Sequence, residues 1–267
     1  MNEEAKRLKD KSRYTYGDLL SIMKLLRMPD GCPWDREQTH KSIRKNLIEE
    51  TYEVIEAIDN EDDALMREEL GDLLMQIVFH ATIAEEAGTF RMEDVVNDVS
   101  EKLVRRHPHI FGDASAENSD DVLKNWDAIK ATEKQRLSSA DKMKAIPPSL
   151  PALMRADKIS ARAAKDDFDF PTLESAIAKI REEMREVAEA KTKEEVFEEV
   201  GDLIFSVVHY ARKLGVDPEE ALYFASEKFV ARYTEMEHQM EKNGIEMKKC
   251  DLNTKDFYWK MVKSNKK

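Results

Sequence analysis

EEVGDLIFSVV, residues 198–208, places Asp202 directly before Leu203, Ile204, Phe205, Val207 and Val208, in a helix that is apolar on several sides. Residues 68–79, EELGDLLMQIVF, do the same with Asp72. An ionised carboxylate withdrawn from water without a partner is costly, so each aspartate needs an explanation. A favourable helix N-terminus does not supply one, because LMREE already provides helix upstream of Asp72. No lysine or arginine neighbours it on that helix. A divalent cation fits better than an ion pair.

The repetition extends along the chain. EETYEVIEA at 49–57 answers EEMREVAEA at 182–190, EELGDLL at 68–74 answers EEVGDLI at 198–204, and SEKLVRR at 100–106 answers SEKFVAR at 226–232. Trp126 and Lys130 answer Trp259 and Lys263 in the same order. Matched segments in one order indicate a duplication. Between the copies, SSADKMKAIPPSLP carries three prolines and reads as a linker. The expected organisation is an N-terminal domain over 1–137, a linker over 138–151 and a C-terminal domain over 152–267.

Within both halves the apolar residues recur at helical spacing, and no β-branched alternation of useful length occurs. The fold class expected is all-α. Helices are predicted near 40–59, 62–87, 92–106, 120–136, 152–164, 172–190, 194–214, 218–241 and 254–263. Composition agrees: of 267 residues, 37% are charged and 41% hydrophobic, with 8 Gly and 8 Pro, a helix-favouring mixture. The net charge of −12 argues against a general nucleic-acid binder, yet leaves room for a phosphate ligand where metal ions reverse the local field. Cys32 and Cys250 are far apart without metal-ligand spacing, as in a reduced cytoplasmic protein. No signal-peptide core is evident and no apolar run approaches the ~20 residues that cross a bilayer.

At ~100° per residue, Glu50 lies at the edge of the apolar face of its helix and Glu53 one turn on. Glu69 and Asp72 repeat the i, i+3 spacing, which lets two carboxylates share a cation. If the helices pair antiparallel, each domain offers four carboxylates: Glu50, Glu53, Glu69 and Asp72, or Glu183, Glu186, Glu199 and Asp202. An all-oxygen set suits Mg²⁺, or Mn²⁺, rather than Zn²⁺. Magnesium completes its shell with substrate phosphates, and basic residues recur to meet them: Lys179, Lys228, Arg232 and Lys263 in one half, Lys102, Arg106 and Lys130 in the other. With Trp259 and Trp126 as aromatic platforms, these residues describe a nucleoside polyphosphate site.

GCPWDREQTH at 31–40, the paired EExxE and EELGD segments, and RRHPHIFGD at 105–113 together resemble the MazG family of nucleoside triphosphate pyrophosphohydrolases over essentially the whole chain. The resemblance implies an all-α fold in which two protomers complete a helical bundle. It implies Mg²⁺-dependent cleavage between the α and β phosphates of ribo- or deoxyribonucleoside triphosphates, yielding a monophosphate and pyrophosphate. It implies catalysis in the second domain, with metal on Glu183, Glu186, Glu199 and Asp202 and nucleotide on Lys179, Glu182, Lys228, Arg232, Trp259 and Lys263. The first domain keeps its acids but has Asn46 where the second has Lys179, so metal binding is expected there and its turnover is left open. GCPWD is expected to be structural, with Trp34 packing at the entry to the first acidic helix.

The expected mechanism has magnesium bridging triphosphate oxygens and a water, lowering the water's pKa and neutralising the leaving pyrophosphate. Either Glu182 or Glu198 would orient or deprotonate that water, and Lys228, Arg232 and Lys263 would stabilise the phosphates. A homodimer is expected, since wide apolar helices need covering. Two rivals stand beside this reading. A di-iron carboxylate bundle would use Glu37-x-x-His40 and Glu235-x-x-His238, which lie off the acidic helices. A non-catalytic helical or nucleotide-binding module would use the acids for solubility or sensing.

Overall fold

A computed structural model of the chain describes residues 3–119, 121, 122, 125, 126, 129 and 138–264. It divides into two compact units, Met1–Glu133 and Lys134–Lys267, and all the regular structure among the described residues is helical. In the first unit these are α1 (Glu3–Lys9), α2 (Tyr16–Arg27), α3 (Pro33–Glu37), α4 (Arg44–Asp59), α5 (Asp63–Glu86), α6 (Met92–Arg106) and α7 (Pro108–Phe111). In the second they are α8 (Ser139–Lys144), α9 (Ala152–Ala164), α10 (Leu173–Glu189), α11 (Lys193–Lys213), α12 (Pro218–Lys242) and α13 (Leu252–Ser264). Most of the helix expected over 120–136 lies outside the described residues. The segment 138–151, read from sequence as the linker, is helical over Ser139–Lys144, and Arg162 of α9 donates to the Ser139 hydroxyl at 3.3 Å.

The centre of each unit is a helical hairpin, α4–α5 or α10–α11, whose short turn is fixed by side-chain caps. Asp62 accepts from the Ala64 and Leu65 amides at 3.0 Å each. Thr192 accepts from the Glu195 amide at 3.1 Å, while the Glu195 carboxylate accepts from the Thr192 amide at 3.2 Å. These bonds satisfy donors that a helix start leaves open. Short turns make the paired helices antiparallel, so acids halfway along one face acids halfway along the other.

The glycine of GCPWD has a local reason. A Cβ at Gly31 would come within 2.3 Å of the Leu26 carbonyl and 2.4 Å of that of Leu25, so only glycine lets this loop press against the last turn of α2. Arg27 then closes it, donating to the carbonyls of Asp35 and Gln38 and to both carboxylate oxygens of Glu86 at 2.7 Å. Trp34, expected to be packed, is 58% exposed; backbone and arginine contacts hold the segment instead.

The cores are small. Met23, Ile43, Val78 and Phe79 join α2 to α5 in the first unit. In the second, Met236, Met240, Tyr258 and Val262 join α12 to α13. Met240 is completely enclosed, so Met240→Ala should cost about 3 kcal/mol, measured as a lower urea midpoint of the second unit. Much apolar surface stays uncovered, including Phe197, Ile204 and Val207 on α11 and Leu222, Phe229 and Val230 on α12.

Candidate active site

In the second unit the α10–α11 hairpin brings together carboxylates that the sequence separates. Glu183, Glu199 and Asp202 each offer an oxygen within 4.8 Å of the others. Glu186, one turn from Glu183, joins them electrostatically: desolvation and then Glu183 push its carboxyl above the ordinary glutamate range. Glu199 is raised likewise, by desolvation and then by Glu183 and Asp202. The acids are therefore held against their mutual repulsion.

Lys179 of α10 relieves part of it. Its ammonium donates to Glu182 at 2.8 Å and to Glu183 at 2.6 Å, which holds the Glu182 carboxyl below its usual range. Lys179 and the two acids it bonds share one helix, at i, i+3 and i, i+4 spacing. The ammonium satisfies one oxygen of Glu183 only. Glu183 is 3% exposed and its Oε2 is buried without a hydrogen-bond partner. An orphaned carboxylate oxygen beside crowded acids is a donor set that fits a hard divalent cation.

The first unit repeats the geometry with different surroundings. Glu50, Glu69 and Asp72 offer oxygens within 4.8 Å of one another, and Glu53 lies within hydrogen-bonding reach of Glu50 and Glu69. Desolvation, then contact with Glu53, raises Glu50; desolvation, then the charge on Glu53, raises Glu69. No lysine stands in the place of Lys179. Asn46 occupies it, its Oδ1 buried and unpartnered. Gln76 donates weakly to Glu50 at 3.4 Å, leaving its own Oε1 buried and unpartnered.

These raised carboxyls give a test. A glutamate whose folded pKa is raised stabilises the fold below its ordinary pKa and loses that contribution as pH rises through the raised value. Cation binding requires the deprotonated form and removes the repulsion. Adding millimolar divalent cation should therefore raise the melting temperature at about pH 7.5, and the gain should shrink toward about pH 5. A gain independent of pH would put the cation elsewhere.

Apart from Glu198, the other expected residues lie outside the acidic hairpins. Lys228 and Arg232 sit on α12, and Trp259 and Lys263 on α13, which packs against α12. The Trp259 ring rests against Phe229 with centroids 5.1 Å apart. In the first unit, Arg106 lies over the Trp126 ring at 5.2 Å and His107 meets its edge at 5.2 Å. Lys102 is exposed on α6, and Lys130 is outside the described residues. Glu198 is exposed on α11. The di-iron arrangement is not assembled: among the described residues neither acid cluster includes a histidine, and His40 stacks on His80 with centroids 5.1 Å apart.

Sequence reading missed the network behind the acids. Asp169 accepts from His209 Nε2 at 2.6 Å and pairs with Arg212 at 2.8 Å and Lys213 at 3.4 Å. Lys213 also donates to the Phe170 carbonyl at 2.7 Å, and Arg212 donates to the Ser160 hydroxyl at 2.6 Å. The signal available was FDFP at 168–171, an acid between two aromatics before a helix start. Its partners lie some forty residues away, beyond the reach of local spacing.

Comparison with known proteins agrees with this architecture. The family described as "MazG nucleotide pyrophosphohydrolase domain" matches twice, over residues 38–111 and 171–236, the two hairpins with their flanks. A Thermotoga maritima protein named nucleoside triphosphate pyrophosphohydrolase/pyrophosphatase MazG is 47% identical over 248 residues, covering 93% of this chain and 95% of its own. An Escherichia coli nucleoside triphosphate pyrophosphohydrolase is 47% identical over 251 residues, covering 92% and 95%. Bacillus subtilis YabN, described as uncharacterized, is 40% identical over 258 residues, covering 95% of this chain and 53% of its own.

Proposed function

The chain belongs to the MazG nucleotide pyrophosphohydrolase family, and from that premise we propose that it hydrolyses nucleoside triphosphates to a nucleoside monophosphate and pyrophosphate at the second-unit acids, with Mg²⁺ as the cation. The observation that carries this reading is the orphaned, buried Oε2 of Glu183 among crowded carboxylates. Glu183, Glu186, Glu199 and Asp202 hold the cation. When bound, it neutralises the triphosphate and acidifies an attacking water.

The chain's own groups do the rest. Lys179 fixes Glu182 and Glu183 and keeps an ammonium beside the acids, available to a phosphate. Glu182, held ionised by Lys179, is a positioned acceptor for a water proton; Glu198, exposed beside Glu199, is the alternative. Glu182→Gln and Glu198→Gln separate them: the variant lacking the base should lose turnover and the acidic limb of its pH–rate profile. The first unit holds a cation on Glu50, Glu53, Glu69 and Asp72 but lacks the ammonium, so turnover resides in the second. The two unpaired cysteines suit a reducing cytoplasm. Among the described residues no helix is long and apolar enough to cross a membrane.

A second copy of the chain completes the site. Gly201 precedes Asp202 inside a helix, where glycine costs about 1 kcal/mol relative to alanine. A Cβ there would meet nothing within 4 Å, and the same holds at Gly71. Among the described residues no contact requires these glycines; close approach of another helix or of a phosphate would. The uncovered apolar faces of α11 and α12 are the surface that a twin would bury, bringing its own Lys228, Arg232, Trp259 and Lys263 to the nucleotide.

The test is ³¹P NMR of the full chain with ATP and Mg²⁺. The expected products are AMP and pyrophosphate, absent when the cation is chelated. Appearance of ADP and orthophosphate instead would place the cleavage at another bond and overturn the assignment.

A further inference from the structure

A cavity of about 560 Å³ opens beside the second-unit acids, within the range of small-molecule sites. Three of its lining residues, Lys179, Glu183 and Asp202, belong to the acid cluster and its lysine; Ile159, Phe168, Phe170 and Phe205 add apolar and aromatic surface to the lining, beside Asp167, Asp169 and His209. Cation site and cavity are therefore continuous. A ligand whose phosphates sit on the acids has its remainder directed into an aromatic slot.

The loop that carries two of the rings is braced. Asp167, which precedes Phe168, adopts a left-handed backbone at φ 59°, a conformation that needs support from its surroundings. The Asp169 network anchors it to α11 through His209, Arg212 and Lys213. Phe170 is seated on the His209 ring at 4.7 Å. Phe168, in contrast, is held 80% exposed at the rim. Fixing a loop so that it presents a phenyl ring to solvent has no value for this unit's own packing.

We infer that this cavity takes the base and sugar of the nucleoside triphosphate, with Phe168 stacking on the base. The inference rests on the reading of the chain as a nucleoside triphosphate hydrolase. It moves the base away from Trp259, whose ring is engaged with Phe229 and whose indole N–H remains a donor for phosphate. Phe168 stacks on the base plane, and Phe205, Ile159 and Ser206 line the slot.

The test uses the full chain carrying Asp72→Asn, with and without Phe168→Ala or the slot-filling Ser206→Leu. Inorganic tripolyphosphate, which has phosphates but no nucleoside, is the control inhibitor. Phe168→Ala should raise KM for ATP and GTP about tenfold, the scale of one lost base–aromatic stack, with the tripolyphosphate inhibition constant changed by less than about twofold. Ser206→Leu should do the same. Phe168 is exposed, so its truncation leaves the fold intact. Unchanged KM in Phe168→Ala, or equal weakening of ATP and tripolyphosphate, overturns the inference. A second readout is independent of turnover: a 2-aminopurine nucleoside triphosphate should be quenched on binding to the parent and less so with Phe168→Ala. Absence of pyrophosphate release in the parent would defeat the hydrolase reading alone, and equal quenching in both proteins would defeat this one.

Discussion

Asp202→Asn, in a chain whose first unit carries Asp72→Asn, is expected to lower kcat/KM for nucleoside triphosphates about a thousandfold, or ~4 kcal/mol of transition-state stabilisation. The two side chains have nearly the same volume, so the variant removes charge and leaves packing alone. Asp202 has Glu199 one turn before it on α11 and Glu183 opposite on α10, with oxygens of all three within 4.8 Å. Deleting one of these charges lowers the affinity for a divalent cation. It also relieves the repulsion that raises Glu199, so the cation-free protein should melt at the same temperature or higher. That pairing of lost turnover with undiminished stability separates a ligand-binding acid from a structural one. Circular dichroism should show unchanged helicity. Parental turnover in the doubly substituted chain would remove both acid clusters from the chemistry.

Phe197→Glu combined with Val207→Glu is expected to convert the protein to a monomer and reduce turnover about a hundredfold, ~2.7 kcal/mol. Phe197 is 84% exposed and Val207 48% in the single chain, so glutamate at either position costs the chain's own fold little. A loss of turnover that accompanies the halved mass traces the effect to a second copy, where two carboxylates would be buried in an apolar contact. Because Lys228, Arg232, Trp259 and Lys263 lie on α12 and α13, loss of the twin would remove their approach to the nucleotide. Multi-angle light scattering measures the mass and pyrophosphate release the rate. A monomer with parental kinetics would show each chain to be self-sufficient.

The duplicated hairpins were legible because their signals are local. EExxE and EExGD place acids at i, i+3 on helices whose apolar period is unmistakable, and the short turns between them force antiparallel pairing. The ends of α4, α5, α10 and α11 fell within a few residues of expectation, since Asp62, Thr172 and Thr192 are strong caps. Helices α1, α2, α3, α7 and α8 went unanticipated. Most are short, and α2 is held by tertiary contacts with α5 rather than by a long periodic stretch.

The acid set and the lysine one turn before Glu183 are legible in the sequence; the burial of Glu183 and its unpartnered oxygen are not. Lys179 stands one turn before Glu183 in the sequence, and the structure adds its bonds to Glu182 and Glu183 at i, i+3 and i, i+4 on the same helix. Trp34 is exposed although large aromatics are usually well buried; here Gly31 and Arg27 fix the loop by backbone contacts. The Asp169 network joins residues far apart in sequence whose side-chain types are individually unremarkable. Only their convergence on one carboxylate distinguishes them from surface charge.

Calorimetric titration of Mn²⁺ into the full chain tests most directly whether these carboxylates exist to hold a divalent cation. The parent should take up cation at both acid clusters, Asp202→Asn should lose the uptake of the second unit, and the further addition of Asp72→Asn should abolish the rest. Uptake that is the same in all three proteins would mean that the cation binds elsewhere and that the acids in these helices serve some other purpose.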